Sequence, residues 1–393
     1  MAKLMGLGTG DRKFVLCYKD LVNQASSNTG NLVFNFAIEQ CVDISPPKFR
    51  WRTPPHKVNQ WNEPILIPMA NNIGPHTDLL SAGPQVQDIT TPLVVMGIGG
   101  QFSTNEPVET AFSSIPQGTI DWLKGVAGKS DGANISVRGN FTRSLFERMG
   151  LGDKAVTLGC PSHFLNPDNR LGSMLKTKSR AITTQKLTDY GVAICAGNYG
   201  YANLDKLEHA LIGMINLYGG RYFVQHPDGL LKLAMGRSAE LCDNVSNSIN
   251  SRYFPDLSRE DLHRWFRQFA TAHVSVPQWS LDISRYALSV GTRIHGAQMA
   301  LQSGVPAVCL YVDSRTKELC ETMRVPCIEA KSFQRAPDIN SIIQLLQEWD
   351  WYEYDSVRLK LAQETNTFLH NNGLTPSKYF SNFLIQSQSG SAK

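Results

Sequence analysis

The sequence predicts an α/β protein made of two Rossmann-like domains. Its 393 residues exceed what one ordinary hydrophobic core requires and suit two domains. Short apolar runs alternate with helical patterns, the order expected of parallel strands joined by helices. The alternation stops at the polar stretch 168–186 and then begins again, so the sequence predicts a linker there.

The chain therefore divides into four predicted parts. The last part carries helical patterns at its start and a tail that is expected to fray. In two-domain Rossmann proteins such helices can pack back over the first domain, and we expect this here. The parts are an N-terminal Rossmann-like domain over 1–167, the linker over 168–186, a C-terminal Rossmann-like domain over 187–335, and C-terminal helices with the tail over 336–393.

The N-terminal half opens with a strand, a polar loop and a helix, as a Rossmann-like unit does. Residues 46–62 are rich in Pro, Arg and Trp without periodicity, which predicts a long irregular loop. Gly150 stands just after a helical pattern, where helices often end in glycine. The predicted strands are 14–18, 65–69, 92–97, 135–138 and 155–158, and the predicted helices are 32–41 and 140–149.

The C-terminal half repeats the alternation. A buried apolar run at 306–311 is typical of a strand that lies inside a parallel sheet. The predicted strands are 191–196, 222–225, 273–276 and 306–311, and the predicted helices are 203–217, 230–242, 261–272, 281–289, 297–303, 314–323, 339–346 and 356–371.

Composition excludes several classes of function. The net charge is +4 without a basic run, which argues against a nucleic-acid binder and is compatible with a small anionic substrate. The eight cysteines form no C-x-x-C pair, so no metal site is predicted. No stretch approaches the roughly 18 apolar residues of a membrane span, and we expect a cytoplasmic protein.

The sharpest local pattern is G-T-R-I-H-G at residues 291–296. Arg293 and His295 stand two positions apart at the entry to a helix, and in an extended or turn geometry such residues face the same way. A guanidinium offers a planar fork for a carboxylate or a phosphate, and an imidazole can transfer a proton near neutral pH. The pattern predicts a site where an anion is held and a proton is moved.

Glycines follow the predicted strand 92–97. Gly97, Gly99 and Gly100 predict a close approach of backbone or ligand, because glycine has no side chain to obstruct it. The G-x-G-x-x-G spacing of a dinucleotide site is absent from this loop.

At the helix entry the sequence resembles a known family. The stretch 291–323 is similar to the polysaccharide pyruvyl transferases, which show a small residue, Arg, a hydrophobic residue, His and Gly, then Gly-x-Pro, and a strand that ends near a Lys-rich helix start. Lys317 takes that last position here. Further similar stretches are N-T-G-N at 28–31, G-I-G at 97–99, V-R-G at 137–139 and G-C-P-S at 159–162. The resemblance covers roughly residues 13–325.

The sequence departs from the family's pattern at three places. Asn31 stands where the family commonly has Asp, and G-C-P at 159–161 stands where Asp-Pro is common. Gly197 and Asn198 stand where many members carry Pro-Arg, which leaves the second basic residue of the donor pocket unassigned.

The resemblance implies two Rossmann-like domains facing a cleft, a GT-B-like arrangement, and transfer of pyruvate from phosphoenolpyruvate onto a sugar. A pyruvate ketal would form, phosphate would leave, and phosphoenolpyruvate would be a co-substrate with no cofactor. The first domain would lie on the acceptor side and the second domain would bind the donor. Arg293 would hold the donor and His295 would act as acid and base, with Arg138, Gly296 and His226 also at the donor. The loops at the cleft would supply Gly30, Asn31, Gly97, Gly99, Gly100, Asn198 and Tyr199.

Several alternatives stay open. A glycosyltransferase that uses a nucleotide sugar could have a similar scaffold, and so could a glycan-binding relative without turnover. His226 is either a turn residue or a cleft residue, and Trp51, Trp61 and Tyr199 either form a sugar platform or simply pack. The acceptor is expected to be a glycan or a lipid-linked sugar, and in the second case the enzyme would work at the inner face of the membrane.

Overall fold

A computed structural model of the chain describes residues 1–6, 18–198 and 202–389, and these contain two parallel six-stranded sheets. The first sheet has the order β2-β1-β3-β4-β5-β6. Its strands are β1 Lys3–Gly6, β2 Phe49–Arg50, β3 Ile65–Pro68, β4 Leu93–Ile98, β5 Ile135–Val137 and β6 Ala155–Thr157.

The second sheet has the order β12-β11-β10-β7-β8-β9, with every pair parallel. The prediction of two Rossmann-like α/β domains is therefore confirmed. The strands of this sheet are β7 Val192–Ile194, β8 Gly220–Phe223, β9 Ala270–Thr271, β10 Leu288–Gly291, β11 Ala307–Tyr311 and β12 Cys327–Glu329.

Helices cover both sheets, which explains why the central strands are continuous apolar runs. All six residues of β4 are buried, as expected of a parallel strand covered on both faces. The helices up to the second sheet are α1 Tyr18–Ala25, α2 Thr29–Cys41, α3 Pro55–Val58, α4 Leu79–Ala82, α5 Val108–Ser113, α6 Gln117–Ala127, α7 Asn140–Arg148, α8 Leu171–Arg180 and α9 Thr184–Tyr190. They are followed by α10 Asp205–Tyr218, α11 Asp228–Ala234, α12 Asp243–Tyr253, α13 Arg259–Phe269, α14 Val276–Ile283, α15 Ile294–Gln302, α16 Ser314–Thr322, α17 Ala330–Phe333, α18 Ile339–Glu348, α19 Trp351–Asn371 and α20 Lys378–Ser389.

Each sheet has one point at which the strand order reverses. In the first sheet the chain runs from β1 outward to β2 and then returns to β3 on the other side of β1. In the second sheet it runs from β7 outward to β9 and returns to β10 on the other side of β7. Ligands of open α/β sheets bind at such points, outside the carboxyl ends of the strands.

The C-terminal helices pack back on the first domain, as predicted. The buried Arg358 of α19 donates hydrogen bonds to the carbonyl oxygens of His163, Asn166 and Asp168. In α20, the Phe380 ring lies 5.4 Å from the Phe164 ring, measured between centroids. The first domain is therefore completed by the last segment of the chain.

The described part of the N-terminal half differs from the predicted elements at several places. The strand at the start of the sheet is β1, whereas residues 14–17 of the predicted strand 14–18 lie outside the described residues and Tyr18 begins α1. The predicted loop 46–62 contains β2 and α3. The predicted linker 168–186 consists largely of α8 and α9, because its apolar residues Leu171 and Leu175 are buried in the core.

Predictions also failed where strands of the C-terminal half are short. Residues 273–276 are not a strand, since β9 ends at Thr271 and α14 begins at Val276. The predicted helix 281–289 ends at Ile283, and the buried run from Leu288 forms β10. The edge strand β12 was not predicted, because three half-buried residues leave no periodicity to detect.

Helix α16 of the second domain touches the first domain through a buried carboxylate. Glu318 accepts hydrogen bonds from the backbone N–H of Thr142 at 2.9 Å and from its hydroxyl at 2.6 Å. Burial raises the pKa of Glu318 to about 7, although these hydrogen bonds and the positive charge of Arg138 act in the opposite direction. Between the unfolded pKa near 4.3 and pH 7 the folded state binds more protons than the unfolded state, so this group makes stability fall as pH rises.

We expect Glu318→Gln to remove this pH dependence. Relative to the wild type, the variant should gain about 1–3 kcal/mol in free energy of unfolding between pH 4.5 and pH 7.5, because the amide stays neutral. Urea denaturation of both proteins at several pH values measures the difference. A constant difference across this range would contradict the raised pKa.

Candidate functional site

Arg293 lies at the carboxyl edge of the second sheet, at the point where its strand order reverses. Its backbone N–H donates to the Cys195 carbonyl at 3.1 Å, and its own carbonyl accepts from Gly296 at 2.9 Å, at the start of α15. The strand end β10 and the helix start therefore fix the residue on both sides. Gly291 makes this possible: with φ at 158°, a Cβ there would lie 2.1 Å from the Cys195 carbonyl oxygen.

The Arg293 guanidinium faces a cavity of about 160 Å³ between the two domains, which we call the arginine cavity. The second domain contributes charged side chains to its wall, and the first domain contributes amides. A neighbouring cavity of about 250 Å³ at the ends of β11 and β12 shares Gln101, Leu204, Val312 and Asp313 with it. The arginine cavity is lined by Asn28, Asn71, Gln101, Asn198, Leu204, Glu208, His226, Thr292, Arg293, Val312, Asp313 and Arg315.

The protein uses only part of the hydrogen-bonding capacity of Arg293. One terminal nitrogen, Nη2, donates to the carbonyl oxygens of Gly197 and His226, the second at 3.2 Å. Nε is buried without a partner among the described residues. A buried guanidinium with unused donors at a cavity wall is suited to bind an anion.

Arg315, at the start of α16, is a second cation on this wall that the sequence did not single out. Its Nη2 donates to Asp313 at 3.2 Å, and its Nε is buried without a partner in the described part of the chain. Lys317, which the family resemblance indicated at this helix start, does not line the arginine cavity. Arg315 is thus a second arginine, besides Arg293, on the wall of the arginine cavity.

The charge of Arg315 acts on two other arginines, although Asp313 pairs with Arg315 and Glu208 also lines the cavity. Burial lowers the pKa of Arg293, and the charge of Arg315 lowers it further. Burial also lowers the pKa of Arg138 to about 10, with Arg315 again acting in the same direction. Like charges that repel one another in a buried place are stabilised by a bound anion.

His226 belongs to this wall as well. It lines the arginine cavity, and its carbonyl oxygen is one of the acceptors for Arg293. Burial, with the charges of Arg293 and Arg315, lowers its pKa to about 4, so the imidazole is neutral at pH 7. Of the two readings left open above, the position of His226 favours the cleft residue.

His295 faces a different part of the domain boundary from Arg293. Its Nε2 lies 3.7 Å from the Cys160 sulfur, and its Nδ1 would lie 2.9 Å from a Cβ added to Gly30. Burial, followed by the charges of Arg138 and Arg315, lowers the pKa of His295 to about 3. The structure thus brings His295 against the first domain as a neutral imidazole, and Arg315 is the cation that influences both it and Arg293.

Arg138 lies behind the cavity wall and not on it. It is 1% exposed, its Nε donates to the Gly97 carbonyl at 2.8 Å, and its Nη2 has no partner among the described residues. A Cβ at Gly99 would lie 2.6 Å from the Arg138 side chain, so this glycine provides the space that the arginine occupies.

A buried carboxylate supports the loop that holds Arg293. Glu208 of α10 accepts from the Gly197 N–H at 2.9 Å and from the Tyr222 hydroxyl at 2.5 Å. Burial raises its pKa, while these hydrogen bonds and the charge of Arg293 lower it. Glu208 also lines the arginine cavity, and nothing in its sequence context distinguished it from a surface residue.

The other predicted cleft residues have diverse positions. Gly97 and Gly100 pack inside the first domain, where the Gly97 N–H donates to the Ser136 hydroxyl and the Gly100 N–H donates to the Thr142 hydroxyl, and neither glycine lines the arginine cavity. Gly296 packs against Cys195 at the start of α15. Asn198 lines the arginine cavity, and Tyr199 lies outside the described residues.

The polar residues 28–31, at the start of α2, contribute side chains to two cavities. Asn28 caps α2, accepting from the Gly30 N–H at 3.0 Å, and lines the arginine cavity. Asn31 donates to the Ala25 carbonyl and lines a second cavity, in the first domain. Trp51 lines that second cavity too, whereas the Trp61 ring is covered by Lys3, whose Nζ lies 4.1 Å from its centroid.

Within the described ranges, no group of three or more His, Cys, Asp or Glu side chains is arranged to hold a metal ion. Each helix in those ranges is too short or too polar to cross a lipid bilayer.

Two Rossmann-like sheets, with an arginine-lined cavity where their carboxyl edges meet, define a two-domain α/β protein whose candidate site lies between its domains. The polysaccharide pyruvyl transferase family matches residues 35–314 of the chain. The chain belongs to this family and is therefore a transferase of polysaccharide pyruvylation.

Comparison with curated proteins gives no match. Among solved structures, the UDP-GlcNAc 2-epimerase of Neisseria meningitidis bound to UDP-GlcNAc is similar at 10% identity, with 93% of this chain and 100% of that chain covered and a TM-score of 0.45. The Methanocaldococcus jannaschii UDP-GlcNAc 2-epimerase is similar at 9% identity, with both chains fully covered and a TM-score of 0.44. Likenesses of this strength do not bear on the substrate of this chain.

Proposed function

We propose that this protein transfers the pyruvyl group of phosphoenolpyruvate onto a sugar of a polysaccharide or its precursor and releases phosphate. The observation that carries the proposal is the set of three arginines, Arg138, Arg293 and Arg315, each with a buried nitrogen that lacks a partner among the described residues. Phosphoenolpyruvate carries a phosphate and a carboxylate, and two separate anionic groups suit two guanidiniums on one wall.

We assign different roles to the three arginines according to where they lie relative to the arginine cavity. Arg293 and Arg315 line the arginine cavity and bind the two anionic groups of the donor. Arg138 contributes positive charge from behind the wall. The bond from C2 to the phosphate oxygen breaks, and the C2–C3 double bond becomes a single bond as C3 receives a proton and becomes a methyl group. Two sugar hydroxyls form bonds to C2 and lose two protons, of which one balances the proton taken up by C3 and the other leaves with the phosphate. Positive charge along the cavity stabilises the departing phosphate.

His295 is the proposed acid and base of the reaction, as the family resemblance implies, although its imidazole lies against Cys160 and does not line the arginine cavity. In the free protein its imidazole is neutral, since burial and the charges of Arg138 and Arg315 lower its pKa to about 3. A donor that carries both a carboxylate and a phosphate offsets these cations and raises the pKa of the imidazole. We therefore expect His295 to take up its proton after phosphoenolpyruvate binds.

The test is release of phosphate from phosphoenolpyruvate in the presence of a panel of glycans, with mass spectrometry of the ketal product. We expect Arg315→Ala to raise the KM for phosphoenolpyruvate about 10- to 100-fold, as expected for loss of a charge-assisted hydrogen bond of about 1.5–3 kcal/mol. The exposed Arg335→Ala in the same domain is the matched control and should retain the wild-type KM.

Other outcomes would point elsewhere. Release of a nucleoside diphosphate from a nucleotide sugar, without phosphate release from phosphoenolpyruvate, would favour a glycosyltransferase. Glycan binding without either reaction would favour a non-catalytic relative. An unchanged KM in Arg315→Ala would contradict the role of this arginine at the donor.

A further inference from the structure

A second cavity, of about 200 Å³, lies in the first domain at the point where the strand order of its sheet reverses. It is bounded by Gly6 at the end of β1 and Pro68 at the end of β3. The corresponding point of the second sheet holds the arginine cavity. Each domain thus offers a cavity at the carboxyl edge where ligands of such sheets bind.

The chemistry of this cavity, which we call the amide cavity, differs from that of the arginine cavity. Its polar walls are formed by Asn31, Asn35, Asn71, Asn72 and His76. No Asp, Glu, Lys or Arg is among its lining residues in the described part of the chain. Amide side chains both donate and accept hydrogen bonds, as sugar hydroxyls do, whereas an anion would find no compensating charge here.

An aromatic ring completes the wall. Trp51 lines the amide cavity and is half-buried. Its indole N–H is buried without a hydrogen-bond partner among the described residues. Trp51 can therefore offer a ligand an apolar ring face and an indole N–H that is free to donate a hydrogen bond.

One residue joins the two cavities. Asn71 lines both of them, and its Nδ2 donates to the Gln101 side-chain oxygen at 2.5 Å, with Gln101 also on the wall of the arginine cavity. A sugar in the amide cavity would therefore have its hydroxyls beside the place where the anionic donor binds. A transfer reaction requires this proximity.

We propose that the amide cavity is the acceptor subsite and that it takes an uncharged sugar ring. The assignment of the sugar as an acceptor rests on the proposed function, but its binding to this cavity does not. Asn35 and His76 contact the ring hydroxyls, and Asn71 directs hydroxyls toward the donor.

The test measures sugar binding without phosphoenolpyruvate. The probes are the methyl glycosides of glucose, galactose, mannose and N-acetylglucosamine, with methyl glucuronoside as the anionic comparison, each followed by saturation-transfer NMR on the full chain. At least one uncharged glycoside should bind the wild type, and methyl glucuronoside should bind at least tenfold more weakly. Asn35→Leu, which keeps the side-chain volume and removes the amide, should reduce binding at least tenfold.

Two further variants keep the test decisive. His76→Ala changes an exposed residue of the wall, so it should fold normally and should also weaken binding several-fold. Asn247→Leu, an exposed position on α12 that lines neither cavity, should bind as the wild type does. Thermal melting verifies that each variant is folded.

Different experimental results would contradict the sugar-binding inference and the proposed function. Absence of binding by every uncharged glycoside, equal binding by folded Asn35→Leu and His76→Ala, or preferred binding of the anionic glycoside would overturn the inference. Sugar binding that depends on Asn35, in a protein that releases no phosphate from phosphoenolpyruvate, would overturn the proposed function and support the subsite.

Discussion

Replacing Arg293 by lysine should reduce kcat/KM for phosphoenolpyruvate at least 100-fold, mostly through KM. Lysine keeps the charge but lacks the planar fork, and it cannot serve the donor together with the two main-chain carbonyl oxygens of Gly197 and His226. Loss of a bidentate contact weakens donor binding by about 1.5–3 kcal/mol. Displacement of the loop that carries the Gly197 carbonyl weakens it further. Steady-state kinetics of phosphate release measure the effect.

The matched control for this prediction is Arg259→Lys. Arg259 is in the same domain and donates to Asp243 on the surface at 2.7 Å, so its replacement should leave both constants unchanged. If Arg293→Lys retained the KM of the wild type, the guanidinium would not be the donor clamp.

Replacing His295 by alanine should lower kcat by about 100- to 10,000-fold, the usual contribution of a positioned acid or base. The KM for phosphoenolpyruvate should change little, because the anion is held by the arginines. His295→Gln serves as the conservative variant, since an amide keeps some of the polar contacts but transfers no proton. Single-turnover kinetics separate the chemical step from donor binding.

The pH dependence of kcat and kcat/KM provides a second test of the role of His295 as acid and base. A group whose pKa is lowered to about 3 in the free protein does not titrate near pH 6.5, so the profile of kcat/KM should show no histidine ionisation there. If the bound donor raises this pKa, kcat should fall as pH rises through the raised value, and His295→Gln should lose that limb. Full activity in His295→Ala would remove the residue from the chemistry.

The sequence predicted those parts of the site that depend on local geometry. The G-T-R-I-H-G element places Arg293 between β10 and α15 through backbone hydrogen bonds to near neighbours and to Cys195. Arg293 and His295 were expected to face the same way, but residues two positions apart do so only where the chain is extended. Because α15 begins at Ile294, the helix turns His295 toward Cys160 and the first domain while Arg293 remains at the cavity.

The residues that were missed depend on the direction of whole helices. At the start of α16, Arg315 and Lys317 are equivalent in the sequence, and only the axis of the helix decides which one faces the cleft. The buried Glu208 has no signal of its own, since its burial results from the packing of α10 on the second sheet. Asn28 and Asn31 are three positions apart, yet the helix start between them directs each to a different cavity.

Because α20 packs against Phe164, a single cut of the chain cannot separate two intact domains. The chain leaves the first domain before α8, builds the second sheet and comes back through α19 and α20, so the domains are connected by two covalent crossings. A fragment that ended at the first crossing would expose Phe164, which Phe380 and Phe383 cover in the intact chain. Any opening of the cleft must therefore be a rotation that both crossings permit, which restricts it to fewer directions than a single tether would allow.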